Sequence, residues 1–110
     1  MGQRKDKLQG TLDLLVLRTL SRGERLHGYA ITTRILACSA DALQVEEGSL
    51  YPALHRMEEA GWLRSGWRVS DNNRRARYYK ITPRGRRQLN ALETQWAAHV
   101  RAVQRVLRLA

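Results

Sequence analysis

The segment GSLYPALHRMEEAGW (residues 48–62) decides how the rest of the chain is interpreted. Its apolar residues recur at spacings of three and four, the pattern of a helix with one buried stripe. Pro52 fits only near the start of such a helix, because the first N–H groups have no partner inside it. Gly61 favours a stop. The segment therefore predicts a short helix over residues 49–60, and these side chains lie mostly off its buried stripe: Ser49, Tyr51, Pro52, His55 and Arg56.

Two further helices are predicted before this one. Residues 10–22 and 27–39 both show the apolar spacing of amphipathic helices, and only a few residues separate them. The segment LQV, residues 43–45, is a candidate short strand. Residues 1–7 are rich in basic side chains and are predicted to form a loose arm.

After the segment at 48–62 the period of the pattern changes. Residues 62–69 alternate, residues 76–81 are rich in aromatic and β-favouring types, and SDNNRR between them is a turn signal. This predicts a β-hairpin, whose tip and adjoining residues 70–77 we call the wing. Its aromatic side chains are interpreted as core and hairpin packing rather than as a platform for stacked bases: Trp62, Trp67, Tyr78 and Tyr79. The fold class is mainly α with a small β-hairpin, a winged helix-turn-helix domain over residues 1–82.

The last 28 residues, 83–110, predict one long helix with Thr82 as its N-cap and Pro83 at its first position. At 1.5 Å per residue it is about 40 Å long, more than a domain of about 80 residues covers. We therefore expect a C-terminal dimerisation helix, and the chain to form a homodimer. The alternative is that the helix folds back on its own domain. The predicted interface residues are Leu89, Leu92, Trp96, Val100, Val103 and Leu107.

The charge of the chain points to its partner. The net charge is +10, and residues 64–87 hold nine basic side chains against one acid, Asp71. A clustered basic segment of this kind predicts double-stranded DNA as the partner. The alternatives are a solubilising face and an anionic membrane surface, although no basic amphipathic helix with exposed aromatics favours the membrane.

Composition also indicates where the chain works. We expect no membrane association, because the longest apolar run is too short to span a bilayer and the polar N-terminus does not resemble a signal peptide. The single cysteine, Cys38, fits a reducing cytoplasm, and we expect a packed side chain there rather than a redox sensor. Three scattered histidines and ten acids suggest no metal, cofactor or catalytic set, so no enzyme is predicted.

A winged helix-turn-helix domain places one helix in the major groove and the hairpin tip on the adjacent backbone. The helix at 49–60 takes the first role through the outward residues named above. Partial burial of Tyr51 and simple solvation of His55 are the alternatives. The wing contributes Asn73, Arg74, Arg75 and Arg77, and the start of the second helix contributes His27, Gly28 and Tyr29.

The segments LQGTLDLLVLRTLSRGERLHGYAI, VEEGSLYPALHRMEEAGWLRSGW and RRARYYKITPRGRRQL together resemble the PadR family of bacterial transcriptional regulators over residues 8–107. The resemblance implies a dimer with an N-terminal winged helix and, in the shorter branch, a single C-terminal dimerisation helix. It implies a repressor whose GSLYPALHR and RRAR residues face DNA. The alternative function is a winged-helix module that binds RNA or a protein partner without an effector.

Some members of that family release DNA when a small aromatic effector binds at the dimer interface. Trp96 lies in the middle of the apolar stripe of the last helix, where a flat ligand would stack on its ring. Plain interface packing of Trp96 is the alternative.

Overall fold

Four helices and a three-stranded antiparallel sheet make up this protein, as its computed structural model shows. The structure describes residues 2–109, and the side chains of residues 10–109. This confirms the predicted fold class. The elements are α1 (Gly2–Thr19), β1 (Leu26–His27), α2 (Gly28–Cys38), α3 (Glu47–Glu59), β2 (Leu63–Val69), β3 (Arg75–Ile81) and α4 (Pro83–Leu109).

The first helix is longer at its start than predicted. The expected loose arm is wrong for residues 2–7, which continue α1, while Met1 lies outside the described residues. Residues 3–9 contain no proline or glycine and consist mostly of good helix formers, so nothing in them ends the helix. Gly10 lies inside α1, where a Cβ would come no closer than 4.0 Å to Leu92.

The third strand lies elsewhere than predicted. Residues 43–45 form no strand, and the short strand β1 instead directly precedes α2. The strand order is β1-β3-β2, with Leu26 opposite Tyr79 and Leu63 opposite Ile81. Since β2 and β1 take the two edges of β3, the connection from α2 to α3 has no place beside that strand.

The core lies between the first three helices and the inner face of the sheet. The apolar stripe of α3 is buried as predicted, at Leu50, Ala53, Leu54 and Met57. The core also contains Val16, Leu17, Leu20, Leu26, Ile31, Ile35, Leu63, Tyr79, Ile81 and Leu89. Cys38 is exposed, so the expectation of a packed cysteine is wrong; it is the last residue of α2, beyond the buried Ile35.

The start of α4 is fastened to the end of α3. Thr82 is the predicted N-cap: its hydroxyl accepts the Gly85 N–H (3.0 Å) and donates to the Gly61 carbonyl (2.6 Å). A Cβ at Gly85 would collide with the carbonyl oxygen of Trp62. Gly85 therefore lets the two backbones approach each other closely.

Only the first part of α4 packs on its own protomer. Leu89 is 5% exposed and belongs to the protomer core, and Leu92 packs against that core. This removes Leu89 from the set predicted for a dimer interface, because its own chain already covers it. Farther along the helix, Trp96 still borders a groove beside α1, whereas Leu107 is 76% exposed.

Among the described helices, we find none that combines the length and the apolar character needed to cross a bilayer.

Candidate nucleic-acid interface

Three of the predicted groups of residues meet at one concave surface. A cavity of about 1000 Å³ lies between the start of α2, Tyr51 of α3 and the wing, and the predicted α3 residues Ser49, Pro52 and His55 do not line it. It is lined by His27, Gly28, Tyr29, Tyr51, Arg74, Arg75 and Arg77, among others. We call this surface the basic concavity. Residues far apart in sequence thus form one surface that joins the start of α2, α3 and the wing.

His27 is positioned by the helix that it precedes. Its Nδ1 accepts the backbone N–H of Ala30 (3.1 Å), which makes it the N-cap of α2. Its ring stands edge-on to that of Tyr78, with centroids 5.2 Å apart. Because Nδ1 is an acceptor here, the neutral ring carries its proton on Nε2. The ring therefore has one N–H donor left over for a ligand, while Tyr29 beside it is 69% exposed.

Gly28 sets the position of Tyr51. A Cβ added at Gly28 would lie 2.8 Å from the Tyr51 hydroxyl oxygen, closer than real Cβ contacts. Tyr51 nevertheless stays 46% exposed. The ring therefore rests on the backbone at the start of α2 and still presents a face to solvent. This contact joins the HGY and SLYP segments and fixes how α3 sits against α2.

The outward face of α3 is only partly free. Ser49, Pro52 and His55 are exposed, with His55 Nε2 lying 3.0 Å from a carboxylate oxygen of Glu59. Arg56 instead turns toward α1.

The Arg56 guanidinium forms two hydrogen bonds to the buried carboxylate of Asp13, at 2.7 and 2.9 Å. These bonds raise the pKa of Arg56. Arg56 is one of the predicted DNA contacts, but the structure gives its guanidinium a partner inside the protomer.

The tip of the wing is a tight turn. The N–H of Ser70 donates to the Arg74 carbonyl (2.7 Å), and the N–H of Asn73 donates to the Ser70 carbonyl (2.9 Å). Asn73 has φ of +60°, a left-handed conformation that asparagine adopts more readily than most residues. Asn73 thus shapes the turn that presents the exposed Arg74.

An exposed tryptophan organises the wing arginines. Trp67 is 54% exposed, and the guanidinium carbons of Arg75 and Arg77 lie 5.0 and 5.6 Å from its ring centroid. Trp67 therefore packs within the hairpin, one of the two packing roles predicted for it, and lies outside the core, whereas Tyr79 is buried and Trp62 packs on the core. The hairpin extends beyond the helices, so the inner side of its outer half has no core to pack against.

Arg77 is also tied to α3. Its Nε donates to the Ser65 hydroxyl (2.7 Å), which donates to a Glu58 carboxylate oxygen (2.6 Å). Sequence reasoning did not assign this role to Ser65 or Glu58, nor the stacking role to Trp67. In the hairpin register Trp67 lies directly opposite Arg77, so aligning the two predicted strands across their turn would have indicated this contact.

A second, smaller groove lies between α1 and α4. It has a volume of about 290 Å³ and is lined by Leu14, Leu92, Trp96, His99 and their neighbours. Trp96 is 47% exposed, and its ring centroid is 5.9 Å from that of His99. Val100 is half-buried, and Val103 and Leu107 are exposed farther along α4.

The chain is similar in sequence to several known proteins. A model described as the transcriptional regulator PadR-like family matches residues 16–91. An uncharacterized protein of Lysinibacillus sphaericus is 33% identical over 95 residues, or 86% of this chain and 85% of that protein. A transcriptional regulator of Mycobacterium tuberculosis is 43% identical over 61 residues, or 56% of this chain and 53% of that protein.

Two solved structures share the fold. A PadR family transcriptional regulator from Eggerthella lenta superposes with a TM-score of 0.77 at 32% identity, over 99% of this chain and 93% of that one. A transcriptional regulator from Clostridium thermocellum gives a TM-score of 0.80 at 26% identity, over 91% and 96%. The family match covers more than half of the described residues and includes α2, α3 and the wing. The chain belongs to the PadR-like family of transcriptional regulators.

Proposed function

We propose that this protein is a homodimeric repressor that reads double-stranded DNA with α3 and holds its backbone with the wing. Membership in a family of transcriptional regulators implies DNA as a partner. The observation that carries the finer proposal is the basic concavity, which gathers the start of α2, Tyr51 of α3 and three arginines of the wing. A regulator of transcription acts on chromosomal DNA, so we place the protein in the cytoplasm.

In this proposal the exposed half of α3 enters the major groove. Ser49, Tyr51 and His55 provide hydrogen-bonding groups for base edges or phosphates. Pro52 offers a rigid apolar edge that suits a thymine methyl group. Arg56 is left out of the base contacts, because Asp13 already holds both branches of its guanidinium.

The wing and the start of α2 bind phosphates. Arg74, Arg75 and Arg77 supply charge, and the remaining N–H of His27 and the phenol of Tyr29 supply donors. Such contacts set affinity and register but carry little sequence information. If each wing arginine in a dimer neutralises one phosphate, together they contribute about 5 to the slope of log affinity against log salt.

The C-terminal half of α4 supports the homodimer. Trp96, Val103, Val106 and Leu107 are large apolar side chains that the protomer leaves exposed. A second copy related by a twofold axis would cover these residues with their own equivalents. The boundary at residue 82 between a DNA-binding part and a dimerisation helix stays a prediction.

The groove between α1 and α4 would hold the effector. A planar aromatic compound would stack on the exposed ring of Trp96, and its binding would alter how two α4 helices pair. The test is a fluorescence titration with planar cationic and phenolic compounds. We expect quenching that disappears in Trp96→Phe, which leaves Trp62 and Trp67 unchanged. The absence of quenching by all of these compounds would leave Trp96 with interface packing alone.

The main proposal is tested by selecting fragments of the source genome that the protein binds, followed by gel shifts. We expect a selected duplex to bind far more tightly than duplex RNA of the same length, and removal of the protein to raise transcription from the selected promoters. Equal binding to RNA, or no effect on transcription, would contradict the proposal.

A further inference from the structure

The face of the sheet that points away from the helices is strongly basic. Side chains alternate between the two faces of a strand. Leu63, Tyr79 and Ile81 point into the core, so their strand neighbours point outward. Those neighbours and the turn before β1 border a groove of about 510 Å³. We call this surface the outer face, and its charged members are Arg25, Arg64, Arg68 and Lys80.

Two of these cations face each other across neighbouring strands. Arg64 lies directly opposite Lys80 in the register of β2 and β3, and like charges in such positions destabilise a sheet. Among residues 10–109, we find no carboxylate within ion-pair distance of Arg25, Arg64, Arg68 or Lys80. The folded protomer therefore leaves this repulsion uncompensated, and an anionic partner would remove it.

The outer face is continuous with the basic concavity. Tyr78 borders both surfaces, and on the outer side the guanidinium carbon of Arg68 lies 5.6 Å from the centroid of its ring. In β1, on the opposite flank of β3 from Arg68, the ring of His27 meets the ring of Tyr78 edge-on. A polyanion that leaves the concavity past Tyr78 meets Arg68 next, followed by the Arg64 and Lys80 pair.

We propose that the outer face binds the phosphate backbone of the duplex that flanks each half-site. This inference rests on the proposed function, because it takes DNA to be the ligand of the basic concavity. A duplex fits better than an acidic protein partner, since it is already present at the adjoining surface and carries evenly spaced phosphates. The outer face would then extend the contact beyond the base pairs that α3 reads.

The test compares two duplexes over a range of salt concentrations. The first is the shortest duplex that contains both half-sites of a selected operator, and the second extends it by about 10 base pairs, one helical turn, at each end. If Arg64 and Lys80 of each protomer neutralise one phosphate apiece, the salt slope for the dimer is steeper on the extended duplex by about 3.6.

The double variant Arg64→Gln/Lys80→Gln should lose this difference and bind the short duplex as the wild type does. Its melting temperature should be equal or higher, because the like-charged pair is gone. The matched control, Arg101→Gln/Arg105→Gln, removes the same charge from exposed positions of α4 outside the predicted interface stripe, and it should keep the difference.

The inference would be overturned if the wild type gave the same salt slope on both duplexes. It would also be overturned if the Arg64→Gln/Lys80→Gln variant kept the full difference in slope between them. Either result would leave the proposed function intact. Failure of the wild type to bind the short duplex would overturn both.

Discussion

Helices α3 and α4 both carry an apolar stripe, but the protomer treats them differently. The stripe of α3 is buried along its whole length, at Leu50, Ala53, Leu54 and Met57. In α4 only Gly85 and Leu89 are buried, and the large apolar residues from Trp96 onward are exposed.

The difference shows that one chain alone fixes the position of α3 but does not cover the far half of α4. The orientation of α3 is fixed within the protomer, through the core, the Asp13–Arg56 hydrogen bonds and the Gly28–Tyr51 contact. Much of the far half of α4 is exposed on the protomer. In the proposed dimer, a second copy of the chain would cover its apolar side chains.

The largest expected effect comes from breaking the α4 side. Val100→Asp would place one carboxylate from each protomer in the predicted dimer interface, where a buried charge without a partner is costly. We expect a monomer that is still folded, with operator affinity lower by about 100-fold or more, because the two half-sites are no longer bound together. Sedimentation and gel shifts would measure both. The control is Ala98→Asp, at an exposed position on the other side of α4, which should change neither the mass nor the affinity. A Val100→Asp protein that stayed dimeric would show that the predicted interface is in the wrong place.

On the α3 side, Arg56→Gln removes the partner of the buried Asp13 carboxylate. We expect a loss of about 2 kcal/mol in the free energy of unfolding, below the value for a fully buried pair because Arg56 is partly exposed. Urea denaturation would measure it. Arg34→Gln, which breaks the exposed pair with Glu24, should leave the free energy of unfolding almost unchanged, because solvent screens such a pair. If Arg56→Gln instead kept full stability and lost operator affinity, Arg56 would be a DNA contact after all.

A smaller change displaces Tyr51 without touching α3 itself. In Gly28→Ala the new methyl group would overlap the Tyr51 ring, which must move. We expect operator affinity to fall about tenfold, the value of one base or phosphate contact, with a loss of stability of about 1 kcal/mol. Gly48→Ala, with no atom within 4 Å of the added Cβ, is the control for stability. Unchanged affinity in Gly28→Ala would mean that Tyr51 does not read DNA.

The smallest expected effect comes from the wing, which is compared here with α3. Trp67→Ala removes the ring on which Arg75 and Arg77 rest. At about 0.5–1 kcal/mol for each exposed cation–π contact, we expect affinity for any duplex to fall about three- to fivefold. Anisotropy titrations would measure it, with Trp67→Phe falling between the two. An alanine variant that binds as the wild type does would show that the arginines need no support.

Much of the fold could be read from sequence, because its signals are local. The spacing of Leu50 and Met57, the position of Pro52, and the Thr82–Pro83 start of α4 each depend on neighbours within one or two turns. The alternation of β2 likewise gave the correct side for Trp67. It could not show that the core ends before Trp67, since that depends on how far the helices reach beneath the sheet.

The remaining errors have the same physical origin. No residue near Arg56 in the sequence indicates that it pairs with Asp13, which lies 43 positions away on α1. Two residues, Leu26 and His27, are too few to show alternation, and so the strand they form was missed. Long-range pairing decides such features, and a single sequence records it only weakly.

The Thr82 hydroxyl, shared between the Gly61 carbonyl and the Gly85 N–H, makes the end of α3 and the beginning of α4 one stiff corner. In the proposed dimer, each protomer would act as a lever with α4 as its arm and α3, the helix proposed to read DNA, at the other end. A tilt of about 10° along an arm of about 40 Å moves its far end by about 7 Å. An effector bound between the two α4 helices of that dimer would therefore change the spacing of the two α3 helices without any rearrangement inside either protomer.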